Sequence, residues 1–269
     1  MVEKRSLKVG VVGCAGRMGR MLVAEIVATP GLALGGGTEI AGNPVLGSDV
    51  AQQAGLPAAG LVVGSDPRAL FKACDAVVDF TLPAATAIHA DLAAEAKKIL
   101  IAGTTGLTPA QQEIVTRAAT RTAIVQSANM SVGVNILLGL AEDAARRLTD
   151  TYDIEIVEMH HRHKVDSPSG TALALGRAAA KGRGVDLDRV KKIDRDGARR
   201  TGDIGFAVLR GGDVAGDHSL IFAADGVRFE LTHRAGSRRI FAKGAARALL
   251  WSRGRKPGLY SMRDVLGLG

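Results

Sequence analysis

Leu7-Lys8-Val9-Gly10-Val11-Val12 is followed by Gly13-Cys14-Ala15-Gly16-Arg17-Met18-Gly19, then by Met21, Leu22, Ile26 and Val27 at helical spacing. A short apolar run, a glycine turn and an amphipathic segment read as strand, turn and helix. Glycine in such a turn lets backbone approach a pyrophosphate, while the helix N-terminus offers unpaired N–H groups and a partial positive charge. Gly13, Gly16 and Gly19 hold the necessary slots. Ala15 stands where G-x-G-x-x-G has its second glycine, so the turn alone is a weak signal that an ordinary structural turn also satisfies.

The next apolar run, Leu32 to Gly37, ends at Thr38 and Glu39, and Glu39 lies 20 residues beyond Gly19. From there a carboxylate accepts hydrogen bonds from an adenosine ribose. It also repels a 2′-phosphate unless a cation answers it, and the following residue is Ile40. Arg17, in the turn, is the cation within reach of a phosphate. NADH is therefore favoured, with NADPH the second option.

Working outward, further strands are expected at Leu61 to Val63, Ala76 to Phe80, Ile99 to Ala102 and Ala123 to Val125. Helices are expected at Pro67 to Ala73, Pro83 to Lys97 and Thr108 to Arg121, the last with an N-cap Thr and Pro109 at its first position. Alternating strands and helices, with nearly continuous apolar strands, imply an α/β fold: a Rossmann-type doubly wound parallel sheet. Two loops follow strands of that sheet, Gly103-Thr104-Thr105-Gly106 and Ser127-Ala128-Asn129-Met130. Each reads equally well as an ordinary turn; together they outline a crevice for the nicotinamide half of a cofactor.

Past Asn129 the rhythm changes. Val132 to Leu148 predicts a long helix, and strands follow at Tyr152 to His160, Gly205 to Leu209, His218 to Ala223 and Val227 to His233, the last two joined through Asp225-Gly226. This is a second α+β domain with an open mixed or antiparallel sheet. Ile240 to Trp251 predicts a helix returning to the first domain. The expected division is 1–130 with 240–269 for dinucleotide binding, and 131–239 for substrate binding and oligomerisation.

Three of the six histidines fall in His160-His161-Arg162-His163-Lys164, followed by Asp166-Ser167-Pro168-Ser169-Gly170-Thr171. The run sits at the carboxyl end of a strand and just before a helix start, where α/β folds place chemistry. Imidazole exchanges protons near neutrality, and Lys164 serves as anion clamp or acid. A solvated basic turn is the plain alternative. No metal is expected, because Cys14 and Cys74 lie far upstream and no closed ligand set is in step with the histidines.

A chain of 269 residues with 46% hydrophobic content has enough apolar material for real cores. Two unrelated cysteines make no disulfide framework. No stretch approaches the roughly 20 apolar residues of a membrane span, and the opening Met1 to Ser6 leads into a strand-like run rather than a secretory core. A cytoplasmic setting is expected. The formal charge of +8 raises nucleic acid, but aromatics are only 3%, and the basic stretches Arg189 to Arg200 and Arg247 to Lys256 are broken by Asp194, Asp196 and apolar residues. They read as solvated faces. A small acidic metabolite is the expected partner, with no nucleic acid and no membrane.

Taken in order, the glycine turn, Gly103-Thr104-Thr105-Gly106, Asn129-Met130-Ser131-Val132-Gly133-Val134-Asn135 and Glu158-Met159-His160-His161-Arg162-His163-Lys164-Val165-Asp166-Ser167-Pro168-Ser169-Gly170-Thr171-Ala172 closely resemble the 4-hydroxy-tetrahydrodipicolinate (dihydrodipicolinate) reductase family. The resemblance runs from Lys8 to about Val265. It implies NAD(P)H-dependent reduction of 4-hydroxy-tetrahydrodipicolinate, a small dicarboxylate, to tetrahydrodipicolinate with loss of water, in diaminopimelate and lysine biosynthesis, by a cytoplasmic homotetramer. By matching position it implies His160 as proton donor or acceptor and Lys164 as proton donor. It implies His161, Gly170 and Thr171 as substrate-binding. Gly13, Cys14, Ala15, Gly16, Arg17, Met18, Glu39, Gly103, Thr104, Thr105, Ser127, Ala128, Asn129 and Met130 are implied as cofactor-binding. Ile40 and Leu82 replace basic residues common in the family, which weakens the case for NADPH. Another two-domain dehydrogenase is the rival enzyme reading, and a redox-sensing nucleotide-binding regulator the non-enzyme one.

Overall fold

A computed structural model describes residues 5–193 and 195–268; the opening Met1 to Lys4 and Asp194, read above, lie outside the described residues. The chain divides into two compact units, Met1–Ser131 with Arg239–Gly269, and Val132–Arg238.

The first unit opens with β1 (Leu7–Val12), α1 (Arg17–Ala28) and β2 (Leu32–Thr38). It continues through α2 (Val50–Gln53), β3 (Val63–Gly64), α3 (Pro67–Ala73), β4 (Ala76–Asp79), α4 (Pro83–Ala96), β5 (Ile99–Ala102), α5 (Pro109–Ala119) and β6 (Ala123–Gln126). The second unit holds α6 (Val132–Leu148), β7 (Asp153–His160), α7 (Gly170–Arg183), α8 (Leu187–Val190), β8 (Lys191–Lys192), β9 (Ile204–Arg210), β10 (Asp217–Ala224) and β11 (Val227–Arg234). The chain then re-enters the first unit as α9 (Arg239–Ser252), β12 (Gly258–Tyr260) and α10 (Met262–Leu266).

All strands of the first sheet run parallel in the order β12-β6-β5-β4-β1-β2-β3. The order reverses direction at β1, so α1 and α9 pack on one face and α3, α4 and α5 on the other. Val12, Leu70, Phe71, Val77, Leu100, Val115 and Ile124 fill the layer beneath α3 to α5. This is the expected doubly wound sheet. The expected helix start at Thr108 is a capping box, its side chain accepting from Gln111 N–H while Gln111 answers the Thr108 N–H.

Two local expectations shift and one strand is added. The strand foreseen at Leu61 to Val63 shrinks to Val63–Gly64 at the sheet edge, because the Asp49 carboxylate takes the Ala59 and Leu61 N–H groups into a loop. The helix foreseen through Lys97 stops at Ala96, with Lys97 left-handed at φ 53°. The strand Gly258–Tyr260 was too short to show any period, yet it adds to β6.

The second sheet runs β11-β10-β7-β9-β8, with β10 antiparallel to both β7 and β11 and β9 parallel to β7 and β8. It is mixed, as expected. The parallel pair needs a crossover, which α7 supplies. Along β7 Ile154, Ile156, Glu158 and His160 are buried, while the residues between them are partly exposed. Leu137, Ile154, Ile156, Leu175, Phe206 and Phe222 form this unit's core. The stretch Arg189 to Arg200 is not a solvated face throughout. Arg199 pairs with Asp153 at 2.9 Å and with Glu155 at 3.3 Å, and Arg195 also pairs with Glu155, folding this basic segment onto the acidic residues of β7.

Candidate active site

The glycine turn connects β1 to α1. Gly13 has φ +66°, and a Cβ on Gly19 would lie 2.0 Å from the Gly13 carbonyl oxygen, so both positions depend on the missing side chain. Gly16, the N-cap of α1, supplies no side-chain cap, which leaves the first N–H groups of a 12-residue helix to be met by something else. Arg17 is exposed beside them. Cys14 is fully buried, and burial first, then the Glu39 charge, pushes its thiol up to about 11. Cys14 thus offers backbone alone. Met18 is partly buried at the same helix start. Glu39, just past β2, accepts a hydrogen bond from the Ala15 N–H at 2.8 Å and another from Asn43 at 3.3 Å. An uncapped helix start with a carboxylate tied to its turn fits the pyrophosphate and ribose of a dinucleotide.

The two later loops meet around a depression of about 360 Å³ lined by Thr104, Thr105, Gly106, Gln112, Gln126 and Ser127. Sequence reasoning missed Gln112 and Gln126, whose amides exchange hydrogen bonds at 2.8 and 2.9 Å. Thr105 and Ala128 are exposed at its rim and Gly103 is partly exposed. Thr104 points inward instead, toward Asp79. Asp79, fully buried at the end of β4, accepts from Thr81 N–H at 2.8 Å and Oγ1 at 2.6 Å, and pairs with His89 Nδ1 at 2.8 Å. Burial alone would push this carboxyl up, but His89 and Thr81 hold it below its ordinary value. Ser127 Oγ donates to the Asn129 carbonyl and Asn129 Oδ1 accepts from Ser131 N–H, both at 2.8 Å, so these side chains shape their own turn. Met130 is a buried core residue. A larger depression of about 610 Å³, lined by Arg5, Asp75, Lys97, Lys98 and Arg253, lies near the start of β1 and β5. That is the wrong end of a parallel sheet for chemistry.

In the second unit the histidine run continues from the end of β7 and is knitted to the β9–β10 loop, with the His161 N–H donating to Val214 O and the Arg162 N–H to Gly212 O. His160 is 8% exposed, and its Nδ1 lies 2.5 Å from Glu158 Oε2. Glu158 is 1% exposed and also accepts from Arg210 at 2.9 and 3.0 Å and from the Ser169 N–H at 3.1 Å. Burial opposes ionisation of Glu158, but Arg210, His160 and Ser169 hold it below the usual carboxylate value. His218 stacks edge-on to His160 at 5.1 Å and hydrogen-bonds Ser169 Oγ at 3.0 Å. Burial, then the His160 charge, pushes it down to about 4, so it is neutral near pH 7.

Lys164 pairs with Asp166 at 2.7 and 2.9 Å, and it is this bond first that holds Asp166 below its ordinary value. His161 lies 3.4 Å from Arg238. Partial desolvation, then Arg238 and the neighbouring cations, lower His161 and favour its neutral form. Ser169 caps α7 through Ala172 N–H at 3.1 Å, placing Gly170 and Thr171 in the helix's first turn. His160, His161, Lys164, Gly170 and Thr171 therefore belong to one strand-to-helix connection of the second unit. Among the described residues no group of three or more His, Cys, Asp or Glu is placed to hold a metal ion.

Glu158, Arg210 and His218 were missed. The first was legible, since alternation puts Glu158 and His160 on one face of β7. The others needed the sheet register, in which Arg210 lies opposite His160 and His218 opposite Glu158.

A doubly wound sheet with a dinucleotide-type turn, joined to a unit carrying buried acid–base groups, defines a nicotinamide-nucleotide oxidoreductase. Family models described as "Dihydrodipicolinate reductase, N-terminus" and "Dihydrodipicolinate reductase, C-terminus" match residues 7–130 and 133–266. The 4-hydroxy-tetrahydrodipicolinate reductase of Parvibaculum lavamentivorans is 52% identical over 97% of this chain and 98% of its own length. That of Methylocella silvestris is 52% identical over 98% of each. A dipicolinate-bound dihydrodipicolinate reductase from Paenisporosarcina sp. TG-14 shares the fold with a TM-score of 0.77 at 22% identity, over 96% of this chain and 98% of that one. The chain belongs to the dihydrodipicolinate reductase family.

Proposed function

We propose that this chain reduces 4-hydroxy-tetrahydrodipicolinate to tetrahydrodipicolinate with NAD(P)H and loss of water, a step toward diaminopimelate and lysine. The observation that carries this reading is the 52% identity, over nearly the whole chain, to relatives named for that substrate. A bound nicotinamide supplies the hydride. The glycine turn and α1 start hold its pyrophosphate, and the loops at 103–105 and 127–130 hold the other end by backbone and by Thr105.

Hydride addition leaves an electron-rich centre that must take a proton, and a positioned general acid contributes about 10²–10⁴-fold. His160 and Lys164 are that acid function. His161 and the opening of α7 at Gly170 and Thr171 bind the two carboxylates, for which charge-assisted hydrogen bonds are the strong ones. NADH is preferred, because Glu39 faces the ribose and Ile40 beside it, 76% exposed, offers a 2′-phosphate no charge. The partly exposed face of the second sheet, with Val157, Met159, Leu209 and Ile221, is the surface for assembly into a homotetramer. No helix among the described residues is long and apolar enough to cross a membrane.

Steady-state oxidation of NADH and of NADPH, with substrate generated by dihydrodipicolinate synthase, tests this directly. Substrate-dependent turnover with a higher kcat/KM for NADH is expected. No turnover with either cofactor rejects the reaction, and NADPH preference rejects the cofactor assignment.

A further inference from the structure

We infer that Glu158 is the positioning residue for His160, fixing which ring nitrogen meets the substrate, and that Arg210 holds Glu158 in place for this task. The inference rests on the reading of His160 as proton donor. All hydrogen bonds of the Glu158 carboxylate are internal: Oε2 takes His160 Nδ1 and Arg210 Nη1, and Oε1 takes Arg210 Nη2 and the Ser169 N–H. An ionised carboxylate is only an acceptor, so Nδ1 carries the proton in that contact and the exchangeable one belongs to Nε2.

Among the described residues nothing hydrogen-bonds Nε2. Gly216, at φ +149°, lies beside it, and a Cβ added there would sit 2.9 Å from Nε2. The absence of a side chain keeps that nitrogen clear. The groups facing His160 are Glu158 on its own strand, Arg210 on β9 through Glu158, His218 on β10, Ser169 ahead of α7, and His161 and Lys164 beyond the strand. His218 is uncharged near neutrality, so Glu158 is the anion that stabilises the imidazolium. In the step, the proton leaves Nε2 for the electron-rich centre of the reduced ring. The N–H electron pair stays on nitrogen, and Nδ1 keeps its proton against Glu158, which takes none. Solvent then restores the Nε2 proton.

Arg210 also donates to the Asp166 carbonyl at 2.7 Å, so the same guanidinium ties the dyad to the loop that bears Lys164. An acid pairing held by one half-buried arginine differs from an accidental contact because the carboxylate's partners come from three different parts of the unit: β7 itself, β9 and the start of α7.

The test is a cycle of E158Q, H160A and the double variant. E158Q should lower kcat about tenfold or more with substrate KM within about twofold, and should move the His160-linked limb of the kcat profile to lower pH by about one unit. In the H160A background the same substitution should cost nothing further. E158D should recover part of the loss. If E158Q does not fold, R210Q carries the test, with a smaller fall in kcat and, because a cation rather than the anion is lost, a shift of the limb to higher pH. Unchanged kcat and profile in E158Q or R210Q, or losses that multiply in the double variant, overturn the role of Glu158. Unaltered kcat in H160A instead overturns the acid assignment, and an inactive wild type overturns the proposed reaction.

Discussion

The Glu39 carboxylate accepts the Ala15 backbone N–H at 2.8 Å, so the end of β2 and the turn before α1 hold each other in position. One residue therefore shapes the glycine turn and, on the proposed reading, also presents an acceptor to the ribose. Charge-assisted hydrogen bonds are worth about 1.5–3 kcal/mol, or roughly ten- to a hundredfold in affinity. Glu39→Ala should weaken NADH by about that factor and NADPH by less, read from fluorescence titration of each nucleotide. Equal weakening of both would show that Glu39 does not read the ribose.

Gly19 tolerates no side chain. With the Gly13 carbonyl 2.0 Å from an added Cβ, Gly19→Ala must displace either the turn or the first coil of α1. Overpacking of this kind costs about 1–3 kcal/mol. Thermal unfolding should show a lowered midpoint, and nucleotide affinity should drop with it. A variant that keeps both would mean the turn yields freely.

Acid should destabilise the second unit through His218. The unfolded chain protonates this imidazole near its ordinary value of 6.5, whereas the fold lowers it to about 4. Between those values the unfolded chain binds a proton that the folded one refuses, so stability rises with pH across the window and is lost as pH falls through it. The whole shift amounts to about 3 kcal/mol, and roughly 2 kcal/mol of it is spent by about pH 5. Denaturant titrations at neutral pH and at about pH 5 should show a smaller acid loss for His218→Gln than for the parent. Identical pH dependence in the two proteins would place the sensitivity elsewhere.

Gly216→Ala should act on turnover with little effect on nucleotide binding. The new methyl lies 2.9 Å from His160 Nε2 and requires a residue with φ +149° to leave the glycine region. A fall in kcat of about tenfold or more is expected, with NADH affinity preserved. Retained kcat would mean that Nε2 is not the working nitrogen.

The first unit was nearly all legible because its strands are buried on both faces and its helices carry Pro and Thr at their starts, signals that are local. Short elements escaped: Val50–Gln53, Leu187–Val190, Lys191–Lys192 and Gly258–Tyr260 span too few residues for a period to repeat. The histidine run stood out by composition. Its support did not, since Arg210 and His218 become neighbours of Glu158 and His160 only when β9 and β10 flank β7. The inward turn of Thr104 was equally hidden, because a glycine- and threonine-rich loop says nothing of a buried aspartate on the adjacent strand.

The first unit is assembled from two separated stretches of chain, with residues 132–238 lying between them. On a ribosome β6 must wait with one flank uncovered until Gly258–Tyr260 has been made, by which time every strand of the second sheet has already emerged. Synthesis order therefore runs opposite to the usual one of N-terminal domain first: the inserted unit is complete in sequence while its host still lacks α9 and a strand. Truncation just after residue 238 would leave the inserted unit whole and an exposed sheet margin on the host, a product prone to associate edge to edge.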